Sequence, residues 1–391
     1  MSPGELKSSL ALASIFGLRL FGMFVILPVF ALWTEGRPGW SLELAGIAMG
    51  AYGLTQGLLQ IPYGWLSDRV GRKPMLYAGL GLFALGSAIC TFGEDPWVMI
   101  AGRIVQGAGA VSGVAIAAVA DLTRESQRTK AMAIVGSTIG LVFAVSFVLA
   151  PFLERAIGVP GIFGFTAVLA CCAVAVVRWL VPDAPVSPRA SSASALAAAF
   201  RNAELLRLYF GIFSLHAVLM ALFVVVPVAM VQAGLPKEEH TWVYLGCVGA
   251  GFVLMIPAIV GRAALRERIV FLASVAVVAV ALALLAAEIR SLTGIVASLV
   301  IFFAGFNVLE AKLPALVSRA APRESTGAAT GVYSSVQFLG TFFGAAAGGA
   351  IAQHGGFVAV LVTCLAITVA WLAAAWNMGD FVPAASPASR T

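Results

Sequence analysis

Apolar residues run along this chain in blocks longer than a soluble helix or strand needs, and polar residues are confined to short clusters between them. The blocks fall near residues 9–33, 42–66, 74–93, 97–120, 131–153, 161–181, 205–232, 241–261, 269–287, 292–317, 326–352 and 356–376. Crossing ~30 Å of hydrocarbon takes about 20 apolar residues in a helix, and each block meets that length. Lipid offers nothing to satisfy a backbone N–H or C=O, so the blocks must be helices that bond internally. They are far too long for barrel strands. The pattern predicts an all-α polytopic membrane protein with 12 transmembrane helices. The first block continues into a charged hairpin rather than a small-residue cleavage site, so it is expected to stay as the first span.

The one substantial break is residues 182–204, PDAPVSPRASSASALAAAFRNAE, rich in proline, serine and alanine. It divides six helices from six: an N-terminal half (1–181), a cytoplasmic linker (182–204) and a C-terminal half (205–391). Ala193 to Phe200 have the composition of a short amphipathic surface helix within that linker. The halves also look like repeats. Arg124-Glu125-Ser126 precedes the fifth block and Arg323-Glu324-Ser325 the eleventh. Ile61-Pro62 near the end of the second block matches Ile256-Pro257 near the end of the eighth. Two matches at nearly equal offset, in equivalent helices, point to a duplicated architecture, and a duplicated bundle suggests two halves rocking about a central site.

Composition agrees with the class: 61% of residues are hydrophobic and 11% charged, far outside the range of a soluble domain. With both termini cytoplasmic, sixteen lysines and arginines collect on the cytoplasmic side and four on the other. This is a positive-inside bias, which explains the net charge of +6 without nucleic acid. The five cysteines all lie within apolar blocks, and their odd number fits no disulfide framework. There is no phosphate-binding loop, no metal-spaced His/Cys cluster and only three histidines, so enzyme chemistry, ATP, metals and cofactors are not expected.

Residues 64–74 read GWLSDRVGRKP and are expected to form a tight loop between two membrane helices at the cytoplasmic surface. Arginine and lysine there serve topology, but Asp68 does not follow from the positive-inside rule. It is expected to accept helix-start N–H groups or to pair with arginine. This stretch, with Gly64, Asp68, Arg69, Gly71, Arg72 and Lys73, resembles the helix 2–3 loop of the major facilitator superfamily. AGRIVQGAGA, with Arg103, Gln106, Gly107 and Gly109, resembles the helix 4 motif of its drug:proton antiporter branch. FGLRLFGMFVILPV, DLTRESQRTKAMA, FNVLEAKLP and GVYSSVQFLG are similar to YajR-type exporters across nearly the whole chain. Two departures stand out. The helix 5 antiporter motif keeps Gly136, Gly140 and Pro151 but has Ala150 where glycine is expected. The sequence also ends about 15 residues after the last block, so the small soluble C-terminal domain of that type is expected to be absent.

The resemblance implies that the helix 2–3 loop latches the two halves when the site faces outward. Asp121 is then the expected partner of Arg69 or Arg72, giving a conformational latch of Gly64, Asp68, Arg69, Gly71, Arg72 and Asp121. It also implies that Arg103 influences proton handling.

Charges inside the hydrocarbon point to transport on their own account, because each costs at least ~2.5–3.5 kcal/mol unless partnered. Arg19, Arg103, Glu310 and Lys312 are the candidates. Arg19 and Arg103 enter from opposite sides and approach mid-depth, where they need anions, waters or carbonyls. Glu310 is the sole carboxylate well inside a block and the first proton-carrier candidate. Asn307 shares its helix face and Lys312 does not. His216 is the other titratable group at membrane depth. Tyr52, Gln56 and Gln60 on helix 2, and Tyr333 and Gln337 on helix 11, recur at four-residue spacing. Such stripes either line a wet cavity with Arg19 and Asn307 as substrate contacts or hydrogen-bond between helices. Gly50, Gly53 and Gly57 favour close packing as well.

The expected function is secondary active transport: proton-coupled efflux of a small amphipathic or drug-like molecule by alternating access in the inner membrane. A proton-coupled importer of a sugar or metabolite shares the same fold, and a non-transporting sensor is the reading from another class. The expected partners are a small-molecule substrate, protons and the lipid bilayer, with a monomer sufficient because one chain holds both halves.

Overall fold

The computed structural model describes residues 1–183, 193–260, 267–322 and 325–379, and its ordered elements among these are helices only. Among the described residues there are thirteen α-helices, twelve of which make twelve spans. The first span is α1 (Pro3–Phe24) and α2 (Leu27–Thr34), followed by α3 (Leu42–Val70), α4 (Arg72–Thr91), and α5 (Pro96–Ala108) with α6 (Ser112–Asp121). The long α7 (Arg128–Leu180) supplies spans five and six. After the short α8 (Ala193–Arg201) come α9 (Ala203–Gln232), α10 (His240–Ile259), α11 (Glu267–Glu288), α12 (Leu292–Ala320) and the long α13 (Thr326–Ala375).

Each long helix is a hairpin of two arms. A straight 53-residue helix would be ~80 Å long, more than twice the hydrocarbon thickness. Instead Gly158 in α7 and Gly356 in α13 sit at φ 67° and 77°, a region that glycine alone enters without strain. The chain folds back there: Thr138 and Thr166, 28 positions apart, lie against Gly17 and Gly22 of α1. In the same way Trp371 packs on Gly211 while Gly340 packs on Phe213.

The apolar pattern placed every span, but it missed local breaks. The first span is interrupted at Val25 and Ile26 ahead of Pro28, and the fourth at Gly109, where the chain turns between α5 and α6. The span begins at Pro3 rather than residue 9 because Ser2 and Glu5 form a reciprocal capping box, which extends the helix into polar sequence. The GWLSDRVGRKP stretch is not a loop: Gly64–Val70 belong to α3 and Arg72–Pro74 to α4, and only Gly71, at φ 104°, is non-helical. Pro74 is tolerated because a first-turn residue needs no intrahelical N–H bond. Ala193–Arg201 forms the expected short helix, while residues 184–192 of the linker, and Arg323 and Glu324 of the apparent repeat, lie outside the described residues.

Alternation of the spans puts Ser2, Arg72, Arg124 and Arg207 at one end, here the basic face, and the hinges Gly158 and Gly356 at the other, the far face. The first and last six spans meet at the far face. There Phe147 packs on Phe223 and Tyr244 at centroid distances of 5.2 and 5.4 Å, and the backbone N–H of Leu42 donates to Gln353 Oε1 at 3.1 Å. Lys237 lies 3.8 Å from Glu154, and His354 lies 3.5 Å from Glu43. Helix α3 lies against the first arm of α13 along a row of glycines. Gly46 abuts Ala345, Gly50 Phe342, Gly53 Phe338 and Gly57 Ser335, each close enough that a Cβ would collide with backbone carbonyl oxygen. Beyond Gly57 this closeness ends: among the described residues, a Cβ at Gly64, Gly327 or Gly331 would meet nothing within 4 Å. The two six-span bundles are sealed at the far face and part toward the basic face.

Candidate functional site

Three polar clusters sit within or beside the membrane spans. The first lies inside the first bundle. Arg19, 2% exposed on α1, donates to Ser112 Oγ of α6 and Gln56 Oε1 of α3, and Gln56 passes a 2.9 Å bond to Gln60. Arg103, 1% exposed on α5, donates to the carbonyls of Ala48 and Met49 at 3.3 and 3.2 Å and to Gln106, whose amide reaches Ser87 at 2.8 Å. Both guanidiniums lie over the ring of Tyr52, at 5.6 and 4.9 Å from its centroid. Among the described residues no carboxylate contacts either one, so their charge is met by carbonyls, amides, hydroxyls and π faces. The structure thus unites Arg19, Tyr52, Gln56, Gln60 and Arg103 as ties between helices of a single bundle. It does not bring Arg103 to Glu310 or His216. Ser112 and Ser87 went unread because small hydroxyls in membrane helices carry no pattern of their own.

The second cluster is at the basic face. Arg72 bonds Asp68 at 2.6 Å, Asp121 at 2.8 Å and the hydroxyl of Ser67, with all three charged side chains largely shielded. Gly71 makes this possible, since its φ lets α4 start one residue after α3 ends and puts Arg72 one turn from Asp68. Of the two expected partners of Asp121 the structure selects Arg72. Arg69 faces outward and stacks on Trp65, 3.7 Å from the ring centroid, so it leaves the ion-pair group. A Cβ on Gly64 would meet nothing within 4 Å among the described residues. All of these residues belong to the first bundle.

The third cluster lies in the second bundle and joins three helices. The amide nitrogen of Gln337, on the first arm of α13, is 2.8 Å from Nε2 of His216 on α9 and 3.4 Å from Oε1 of Glu310 on α12. His216 Nε2 is 3.8 Å from Glu310 Oε2. The Glu310 side chain is 34% exposed although it sits deep in an apolar helix. Tyr333 lies one turn before Gln337 and Asn307 one turn before Glu310; both are buried, and among the described residues the Tyr333 hydroxyl and Asn307 amide nitrogen have no hydrogen-bond partner. Phe306 closes the side, 6.1 Å from the His216 ring and stacked with Phe302. Lys312, on a different helix face, lies near Glu267, which attracts its charge, and Arg319, which opposes it. No group of three or more His, Cys, Asp or Glu suited to a metal occurs among the described residues.

Two facing six-helix bundles, sealed at one face, with polar clusters at membrane depth, define a multi-pass membrane transporter. The chain belongs to the Major Facilitator Superfamily, whose sequence profile matches residues 12–345. It is 38% identical to the inner membrane transport protein YajR of Escherichia coli K12, over 97% of this chain and 85% of that protein. A shorter likeness, 35% identity over 24% of this chain and 23% of the relative, links it to the multidrug resistance protein MdtH of Klebsiella pneumoniae. In three dimensions it resembles a D-xylose–proton symporter with a TM-score of 0.72, covering 96% of this chain and 98% of that one; at 17% identity this speaks for the fold alone. The protein is a transporter and not an enzyme.

Proposed function

We propose that this transporter moves a small amphipathic molecule out of the cell in exchange for protons, with Glu310 as the proton carrier and His216 beside it. The observation that carries the reading is the meeting of Glu310, His216 and Gln337 from three helices. A carboxylate at membrane depth is costly unless partnered, and this one is both reachable and next to a second titratable group. Phe302 and Phe306 give the same region an apolar wall suited to an amphipathic substrate, with Asn307 and Tyr333 supplying polar contacts.

On the positive-inside rule the basic face is cytoplasmic, both termini included. The state described above is then open to the cytoplasm and closed outside. The Asp68–Arg72–Asp121 group serves as the latch. In the opposite state the basic ends of α3 and α13 come together, and this charge group meets the start of α13, where the helix dipole favours carboxylates. One chain supplies both bundles, so a monomer suffices. The drug-efflux direction is supported by the helix 2–3 and helix 4 motifs and by the likeness to MdtH over part of the chain.

The test is transport by purified protein in liposomes that enclose a pH-sensitive dye, with cationic, neutral and anionic amphiphiles and sugars offered in turn. The proposal expects protons to move opposite to an amphiphile. Protons moving with a sugar would establish the importer, and substrate movement without protons would remove coupling altogether.

A further inference from the structure

Gln337 occupies a position that neither substrate contact nor simple helix packing accounts for. An amide nitrogen only donates, and this one faces two groups at once: Nε2 of His216 and Oε1 of Glu310. With the amide in this orientation, a neutral His216 bearing its proton on Nδ1 accepts at Nε2, and the Glu310 oxygen accepts as well. Adding a proton to His216 Nε2 would set two N–H donors against each other across 2.8 Å. The amide has one low-cost response, a half-turn that presents its oxygen to the new proton, because its two ends have nearly the same shape.

The consequence for the fold follows from where Gln337 stands. Its neighbour Phe338 gives the carbonyl that lies against Gly53 of α3, and its own carbonyl accepts from Thr341, whose side chain also borders Gly53. Gln337 is therefore on the stretch of α13 that forms the seam between the two bundles, while the groups it touches belong to α9 and α12. The Tyr52 ring of α3 meets Phe338 at 6.5 Å on the same seam. The titratable and charged groups facing the cluster are His216 from α9, Glu310 from α12 and Tyr333 from α13. Lys312 faces the Glu267–Arg319 pair rather than this cluster.

We propose that Gln337 is the positioning residue that carries the protonation state of the Glu310–His216 pair to the seam between the bundles. It holds α13 in one position when the pair is unprotonated and releases it when a proton arrives. This rests on the reading of Glu310 as the proton site and goes beyond it in assigning the transmission to one amide.

The experiment measures the opening at the basic face directly. Spin labels are placed on cysteines at Val70 and Thr330, both exposed, with the five native cysteines replaced by serine, and the inter-label distance distribution is recorded from pH 5 to pH 8 in lipid nanodiscs. The unsubstituted cluster is expected to shift population between open and closed states across this range. Glu310→Gln should abolish the shift. Gln337→Met keeps the length but removes the amide, and should abolish it too, while Gln337→Asn, which retains a shorter amide, should restore part of it. Monodisperse elution and an unchanged helical circular-dichroism signal show that each variant is folded.

A full pH shift in Gln337→Met, with Glu310→Gln unresponsive, would overturn the role of Gln337 and leave the proton site standing. A full shift in Glu310→Gln would overturn the proton site, and the proposal with it. Absence of any shift in the parent would overturn both.

Discussion

Gly53→Ala tests the idea that the far face closes by backbone contact between α3 and α13. A Cβ at Gly53 would stand 2.6 Å from the Phe338 carbonyl oxygen and 3.1 Å from Thr341 Cβ. Ordinary contact requires the two helices to part by about 1 Å. Neither obstacle is the tip of a flexible side chain, so strain of about 1–3 kcal/mol is expected. It falls only on the state sealed at the far face. The general preference of helices for alanine over glycine is the same in both states and cancels. The equilibrium should then move toward the state open at the far face by about 5- to 150-fold. Tyr244 is buried in the seal between Phe147 and Phe223. A cysteine at that position, in a background without other cysteines, reports opening through its rate of reaction with a membrane-impermeant maleimide applied from the far side. Gly53→Ala should raise that rate at least fivefold, and Gly81→Ala, at an exposed position on α4 where a Cβ meets open space, should leave it unchanged. Equal rates in the two variants would refute the glycine seam as the closure.

Two further predictions concern the arginines. Arg72→Ala leaves Asp68 and Asp121 shielded and without their shared cation, so about 2 kcal/mol of stability should be lost and the melting temperature of the purified protein should fall by several degrees. Arg69→Ala, which removes only a ring contact, should change it by less than half as much; the reverse order would contradict the assignment of Arg72 as the centre of the group. Arg103→Met removes the ties to Ala48, Met49 and Gln106 and should also destabilise by about 2 kcal/mol, while proton movement per substrate in liposomes stays at the parent value. A changed ratio would return Arg103 to the proton path.

The spans were legible in the sequence because a membrane helix has to be apolar along its length, and twelve such blocks leave little freedom. The breaks at Val25–Ile26 and Gly109 were not legible, since a few residues of irregular backbone scarcely alter an apolar average. Glu310, His216, Tyr333 and Gln337 each stood out, as polar residues at membrane depth or by helical spacing. That His216, Glu310 and Gln337 meet depends on how α9, α12 and α13 pack, which no local pattern encodes. Gly50, Gly53 and Gly57 announced close packing without naming a partner, and the partner proved to be the opposite bundle. The depth of Arg19 fits either a substrate contact or a hydrogen-bonded tie between helices. The structure encloses it within one bundle because Ser112 and Gln56 supply acceptors that depth could not reveal. The choice of Arg72 over Arg69 turned on a single positive-φ glycine, which decides which of two adjacent arginines points back along α3.

The most direct measurement records substrate and proton movement together in liposomes for the wild-type protein and for Glu310→Gln. The account predicts that in the wild type substrate movement drives protons in the opposite direction, and that in Glu310→Gln proton movement ceases at every pH while substrate still exchanges for substrate. Proton movement of undiminished size in Glu310→Gln would contradict it.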